Sequence, residues 1–92
     1  MSKLNWNEIT ASDVVEAIRI FDSEHPKYPK ARSTFLIYEN QSYPAKHIRG
    51  MAYQVHFGEE ISKSDYTGGM ETIRFFERLG FRTQYIYKGR RS

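Results

Sequence analysis

Apolar positions along the chain recur first at helical and then at strand spacing. Val14, Ala17, Ile18 and Phe21 share one face of a helix. Thr10 precedes them as N-cap, which places Asp13 at N3, where a carboxylate suits the helix dipole, and pairs Ile9 with Val14 as a hydrophobic staple. A residue before proline is pushed out of the helical region, so Pro26 ends this helix around Asp22 to Glu24. Thr34 to Tyr38 is an unbroken apolar and β-branched run, the pattern of a buried strand. Glu39-Asn40-Gln41-Ser42 supplies turn chemistry, and Tyr43 begins a return. Pro44 fits the first turn of a second helix, whose core positions are Ala45, Ile48, Met51, Ala52 and Val55 and whose stop after Phe57 is Gly58. Gly68 and Gly69 open a third, amphipathic helix. It turns Ile73, Phe76 and Leu79 to the core and Phe75 to another element, and Gly80 closes it. Phe81 to Tyr87 then alternates as a strand, with Phe81, Thr83, Tyr85 and Tyr87 on one side; its natural partner is the strand at Thr34 to Tyr38.

These elements predict an α+β fold, a small antiparallel sheet packed with three helices in a single compact domain. Residues 1–88 form that domain, and 89–92 a basic flexible tail. The length of 92 residues leaves no room for a catalytic domain beside a recognition domain. Seven Tyr and six Phe supply large buried areas, which argues for a folded chain. The absence of Cys excludes a disulfide scaffold and a thiolate metal site, and fits a cytoplasmic setting. No apolar run reaches membrane-spanning length, so no membrane partner is expected.

Charge adds a surface argument. The net charge is only +3, but it is segregated. Residues 1–24 are acidic, residues 25–58 basic, residues 59–73 acidic through Glu59, Glu60, Asp65 and Glu71, and the C-terminal part basic through Arg74, Arg78, Arg82, Lys88, Arg90 and Arg91. A basic and an acidic face suit a nucleic acid, a nucleoprotein or an acidic protein surface. Within the second helix Lys46, Arg49, Tyr53 and His56 follow at intervals of three, four and three, which aligns them in one stripe. Such a row suits a phosphate backbone and a base; the alternative is a solvated helix face with a half-buried Tyr. The connector carrying Lys27, Tyr28, Lys30 and Arg32 interleaves cations with an aromatic, a second contact candidate. The entrance at Gly68 and Gly69, with Thr72, leaves helix N–H groups uncovered and favours an anion, unless the glycines serve packing alone. Arg74 and Arg78, four apart on the polar side of the third helix, complete the set.

Catalysis has little support. His47 and His56 sit on nearly opposite sides of one helix and His25 lies on another element, so the three histidines build no local metal site. Asp13, Asp22 and Asp65 are scattered, and no HExxH, phosphate-binding loop or nucleophile elbow occurs. The reading is a protein that binds and does not catalyse, without metal or cofactor.

From Thr34 to Tyr87 the order of motifs resembles the N-terminal head domain of McrA-type HNH endonucleases, which restrict modified DNA. The residues that carry the resemblance are Tyr43-Pro44-Ala45-Lys46-His47-Ile48, Gly58, Tyr66-Thr67-Gly68-Gly69, Glu71-Thr72 and Leu79-Gly80-Phe81. It implies a compact α+β accessory module of a DNA-targeting defence setting, with Lys46, Gly68, Gly69 and Thr72 as matched positions. It does not imply nuclease activity, because the cutting domain has no counterpart here. The expected partner is a nucleic acid or a nucleoprotein complex. The alternative is an anti-CRISPR-like inhibitor of phage or mobile-element origin that docks on a defence nuclease, with Glu59, Glu60 and Asp65 meeting a basic channel.

Overall fold

The structure, a computed structural model, describes residues 6–24, 34–61, 66 and 69–85. A single 3-10 turn, Trp6–Glu8, leads into α1, Ala11–Glu24. The cap expected at Thr10 is formed reciprocally. Thr10 N–H donates to Asp13 Oδ2 at 2.9 Å and Asp13 N–H to Thr10 Oγ1 at 3.3 Å, so two of the orphan donors of the first turn are satisfied. Ile9 and Val14, the two ends of the staple, are both buried.

The chain next forms a hairpin. Strand β1, Thr34–Tyr38, pairs antiparallel with β2, Gln41–Pro44, in the register Tyr38 to Gln41 and Leu36 to Tyr43. Glu39 (φ 51°) and Asn40 (φ 67°) alone make the turn, both left-handed as a two-residue type I′ loop requires. The sequence reading extended the turn through Gln41 and Ser42; these two residues belong to the strand instead. The main-chain twist of a primed turn lets pairing resume at once, and both polar residues are exposed.

Helix α2, Ala45–Phe57, follows directly. Pro44 holds its N-cap position and Gly58 closes it at φ 75°, where the Gly58 N–H donates to Gln54 O at 2.7 Å. Helix α3, Gly69–Arg78, ends in a Schellman motif. Phe81 N–H donates to Phe76 O and Gly80 N–H to Glu77 O, each at 3.0 Å, with Gly80 left-handed at φ 91°. The rings of Phe76 and Phe81, 6.3 Å apart and edge-on, supply the apolar contact that accompanies this motif. Strand β3, Arg82–Tyr85, pairs antiparallel with β1, with Leu36 opposite Thr83, so the sheet order is β2-β1-β3. Tyr85 stands 47% exposed, so the inward alternation expected from Phe81 onward stops after Thr83. Tyr87 and the basic tail lie outside the described residues.

The core is centred on α2. Ala45, Ile48 and Ala52 meet Val14, Ala17 and Ile18 of α1, Leu36 and Tyr43 of the hairpin, and Phe75 and Phe76 of α3 in one buried cluster. Tyr43 fastens β2 to α1. Its hydroxyl donates to Asp22 Oδ2 at 2.9 Å, and burial with that carboxylate beside it pushes the phenol up to about 12. Because α1, the sheet and α3 all lean on α2, the buried arc of this helix is wide, about 140° at 100° per residue.

Candidate functional site

The width of that arc decides the fate of the Lys46, Arg49, Tyr53 and His56 stripe. Arg49 and Tyr53 fall inside it. Arg49 is only 2% exposed and is among the largest fully buried side chains of the protein. Its guanidinium stacks 4.0 Å from the ring centroid of Trp6, with the rings of Tyr66 and Phe75 each at 5.3 Å. One terminal nitrogen donates to Thr72 Oγ1 at 3.0 Å and the other to Glu71 Oε2 at 3.0 Å. Burial pulls the guanidinium below its ordinary pKa, and Glu71 works against that pull. Arginine tolerates such a place because its planar, weakly hydrated head stacks on aromatic faces while both terminal nitrogens stay engaged.

The other three members are committed as well. Tyr53 is buried, 5.0 Å from Trp6 and 4.6 Å from Phe57 between ring centroids. His56 Nδ1 lies 2.8 Å from Asp13 Oδ2, which ties the last turn of α2 to the cap of α1. Burial opposes ionisation of Asp13, but the hydrogen bonds from Thr10 and His56 prevail and hold its carboxyl below the usual range. Lys46 is half-buried, its Nζ 5.2 Å from the ring of Tyr66. The stripe is therefore not an accessible row of cations, and Arg49 and Tyr53 are not surface contacts.

The entrance of α3 is shaped by the same cluster. Thr72 is 0% exposed, so it faces Arg49 and not a partner. Glu71 sits in the first turn and keeps 54% of its side chain exposed while holding Arg49. The protein thus supplies its own carboxylate where the helix dipole favours an anion. Gly69 is the first residue of α3; Gly68 lies outside the described residues. Tyr66 crosses α2 beside this entrance, and its hydroxyl donates to Lys46 O at 3.2 Å. Burial pushes that phenol up to about 12, with Arg49 opposing. Gly50 permits the crossing, since a Cβ there would lie 2.2 Å from Tyr66 Oη.

Trp6, Tyr66, Gly50 and Glu71 are the residues of this cluster to which sequence reasoning assigned no contact. A signal existed for the last of them: Glu71-Thr72 is a matched pair, and an acidic residue before a buried threonine is a ready partner for a cation of α2. Nothing in local spacing announces that the cation is Arg49.

Among the described cationic candidates, His56 at the end of α2 and Arg74 and Arg78 on α3 are exposed, as are Arg19 on α1 and Arg82 at the start of β3. Arg78 also donates to Trp6 O at 3.2 Å, and its guanidinium lies 5.8 Å from the Phe75 ring. Lys27, Tyr28, Lys30 and Arg32 lie outside the described residues, as do Asp65 and His25. Glu59 and Glu60 are exposed. Among the described residues no group of His, Asp and Glu is placed to hold a metal ion, and no helix is long and apolar enough to cross a membrane.

Comparison with curated proteins and with solved structures gives no match. The family model described as "ScoMcrA-like, N-terminal head domain" matches residues 7–85, which takes in every helix and strand described above. Its span also begins well before Thr34, so α1 is part of the shared pattern. The chain belongs to the ScoMcrA-like N-terminal head domain family.

Proposed function

We propose that this chain is a non-catalytic DNA-binding module of a restriction or defence system. The observation that carries the reading is the head-domain match over residues 7–85, which associates the fold with proteins of the McrA type. The distribution of charge supports it and moves the contact away from α2. Of the fourteen Lys and Arg residues, only Arg19, Lys46, Arg49, Arg74, Arg78 and Arg82 lie in the described body, and Arg49 is interior. Arg74 and Arg78, one helical turn apart on the exposed side of α3, are the best-placed pair for successive phosphates. Six of the remaining eight cations belong to the connector, with Lys27, Lys30 and Arg32 beside Tyr28, and to the C-terminal Lys88, Arg90 and Arg91.

Phosphate contacts release counterions, so the affinity for a labelled DNA duplex should fall steeply as salt rises from 50 to 200 mM (values chosen for the assay). Arg74→Glu replaces one attraction by a repulsion at an exposed site. It should weaken binding by about fivefold to tenfold and lower the salt slope by about one. A duplex that shows no mobility or anisotropy change at low salt would overturn the reading.

A further inference from the structure

Along α2 runs a groove of about 520 Å³, whose lining includes His47, Gly50, Gln54 and Tyr66. Its apolar walls are Ile20 of α1, Met51 and Val55 of α2, and Ile61, all half-buried. Glu24, at the end of α1, and Glu60 line it as well, and both are exposed. No lysine or arginine lines the groove among the described residues. Met51 and Val55 occupy helix positions of the core-facing type and pack against the core cluster, yet each is only half-buried.

We propose that this groove docks a cationic segment of a protein partner, a lysine or arginine flanked by apolar residues. The aliphatic stem of such a side chain lies along the Ile20, Met51, Val55 and Ile61 walls, and its charged head meets Glu24 or Glu60. The two carboxylates repel phosphate, so the groove is a surface distinct from any that contacts DNA. A flexible methionine wall adapts to partner side chains of different shape.

The test is a methyl-detected NMR titration of the whole chain with an N-acetylated, amidated peptide Leu-Arg-Leu-Lys-Leu. Saturable shifts confined to the methyl groups of Ile20, Met51, Val55 and Ile61 are expected. The exposed double substitution Glu24→Gln with Glu60→Gln should raise the dissociation constant about fivefold and leave the rest of the spectrum in place. The proposal is overturned if the peptide gives no saturable shift, or if the double variant binds it as well as the native chain. It is equally overturned if the acidic peptide Leu-Glu-Leu-Glu-Leu moves the same methyls with equal affinity, or if a DNA duplex moves them in the peptide's absence.

Discussion

At the scale of residues, two positions on α2 carry consequences out of proportion to their size. Truncating Arg49 to Ala empties the space among Trp6, Tyr66 and Phe75 and leaves Thr72 Oγ1 without its cation. Glu71 keeps half of its surface in water, so its carboxylate is not stranded in the interior. The expected loss is therefore about 3 kcal/mol, at the lower end for a broken buried pair and mostly a cavity cost. Arg49→Met retains much of the volume and should lose about 1 kcal/mol, as chemical denaturation of the three proteins would measure. Gly50 makes the opposite case. In an open helix Gly→Ala is favourable by close to 1 kcal/mol, but here the new Cβ collides with the Tyr66 hydroxyl. Gly50→Ala should destabilise by about 1 to 3 kcal/mol. Adding Tyr66→Phe removes the atom in conflict, so the double variant should be more stable than Gly50→Ala alone; equal or lower stability would contradict the collision.

At the scale of elements, legibility followed how local the physics is. The Thr10 cap with Asp13, the Gly58 stop and the Leu79-Gly80-Phe81 ending of α3 are written within a few residues of where they act. Each stands where the sequence pattern put it. Strand β2 was missed because a two-residue primed turn normally advertises itself with Gly, and this one uses Glu39-Asn40. The α2 stripe was misjudged for a nonlocal reason. Spacing places Lys46, Arg49, Tyr53 and His56 on one side, but only the arrival of α3, Tyr66 and Trp6 decides that Arg49 and Tyr53, at the middle of it, are covered. A charged side chain reads as solvent-facing until its acceptors are found, and those of Arg49 are more than twenty residues away. At the Schellman ending, Gly80 takes φ 91° and a Cβ added there would have no neighbour within 4 Å, so Gly80→Ala meets backbone strain alone. About 1 kcal/mol of stability should be lost, with the fold unchanged by circular dichroism.

At the scale of the whole molecule, the tyrosines make stability depend on pH from the alkaline side. Burial raises the phenols of Tyr43 and Tyr66 to about 12, above the value near 10 of an unfolded chain. Their neutral forms are favoured in the fold, so their contribution is complete below pH 10 and is lost as the pH climbs through about 12. Thermal melts between about pH 9 and 12 should show a falling midpoint, and Tyr66→Phe should flatten that fall. Charge is the other property of the whole. The described body carries exposed Glu8, Glu24, Glu39, Glu59, Glu60 and Glu77 against exposed Arg19, Arg74, Arg78 and Arg82, while six of the fourteen Lys and Arg lie in the connector and tail. For the proposed DNA contact that arrangement favours a limited patch over a broad electrostatic one, and the burial of Arg49 keeps it out of such a patch. The most direct measurement is the affinity of Arg49→Met and Arg74→Glu for one labelled duplex, taken side by side at low salt and below the melting point of both variants. Arg49→Met should bind within about twofold of the native chain and Arg74→Glu about fivefold to tenfold more weakly. A folded Arg49→Met that loses binding while Arg74→Glu keeps it would contradict the assignment of α2 to the interior and α3 to the contact.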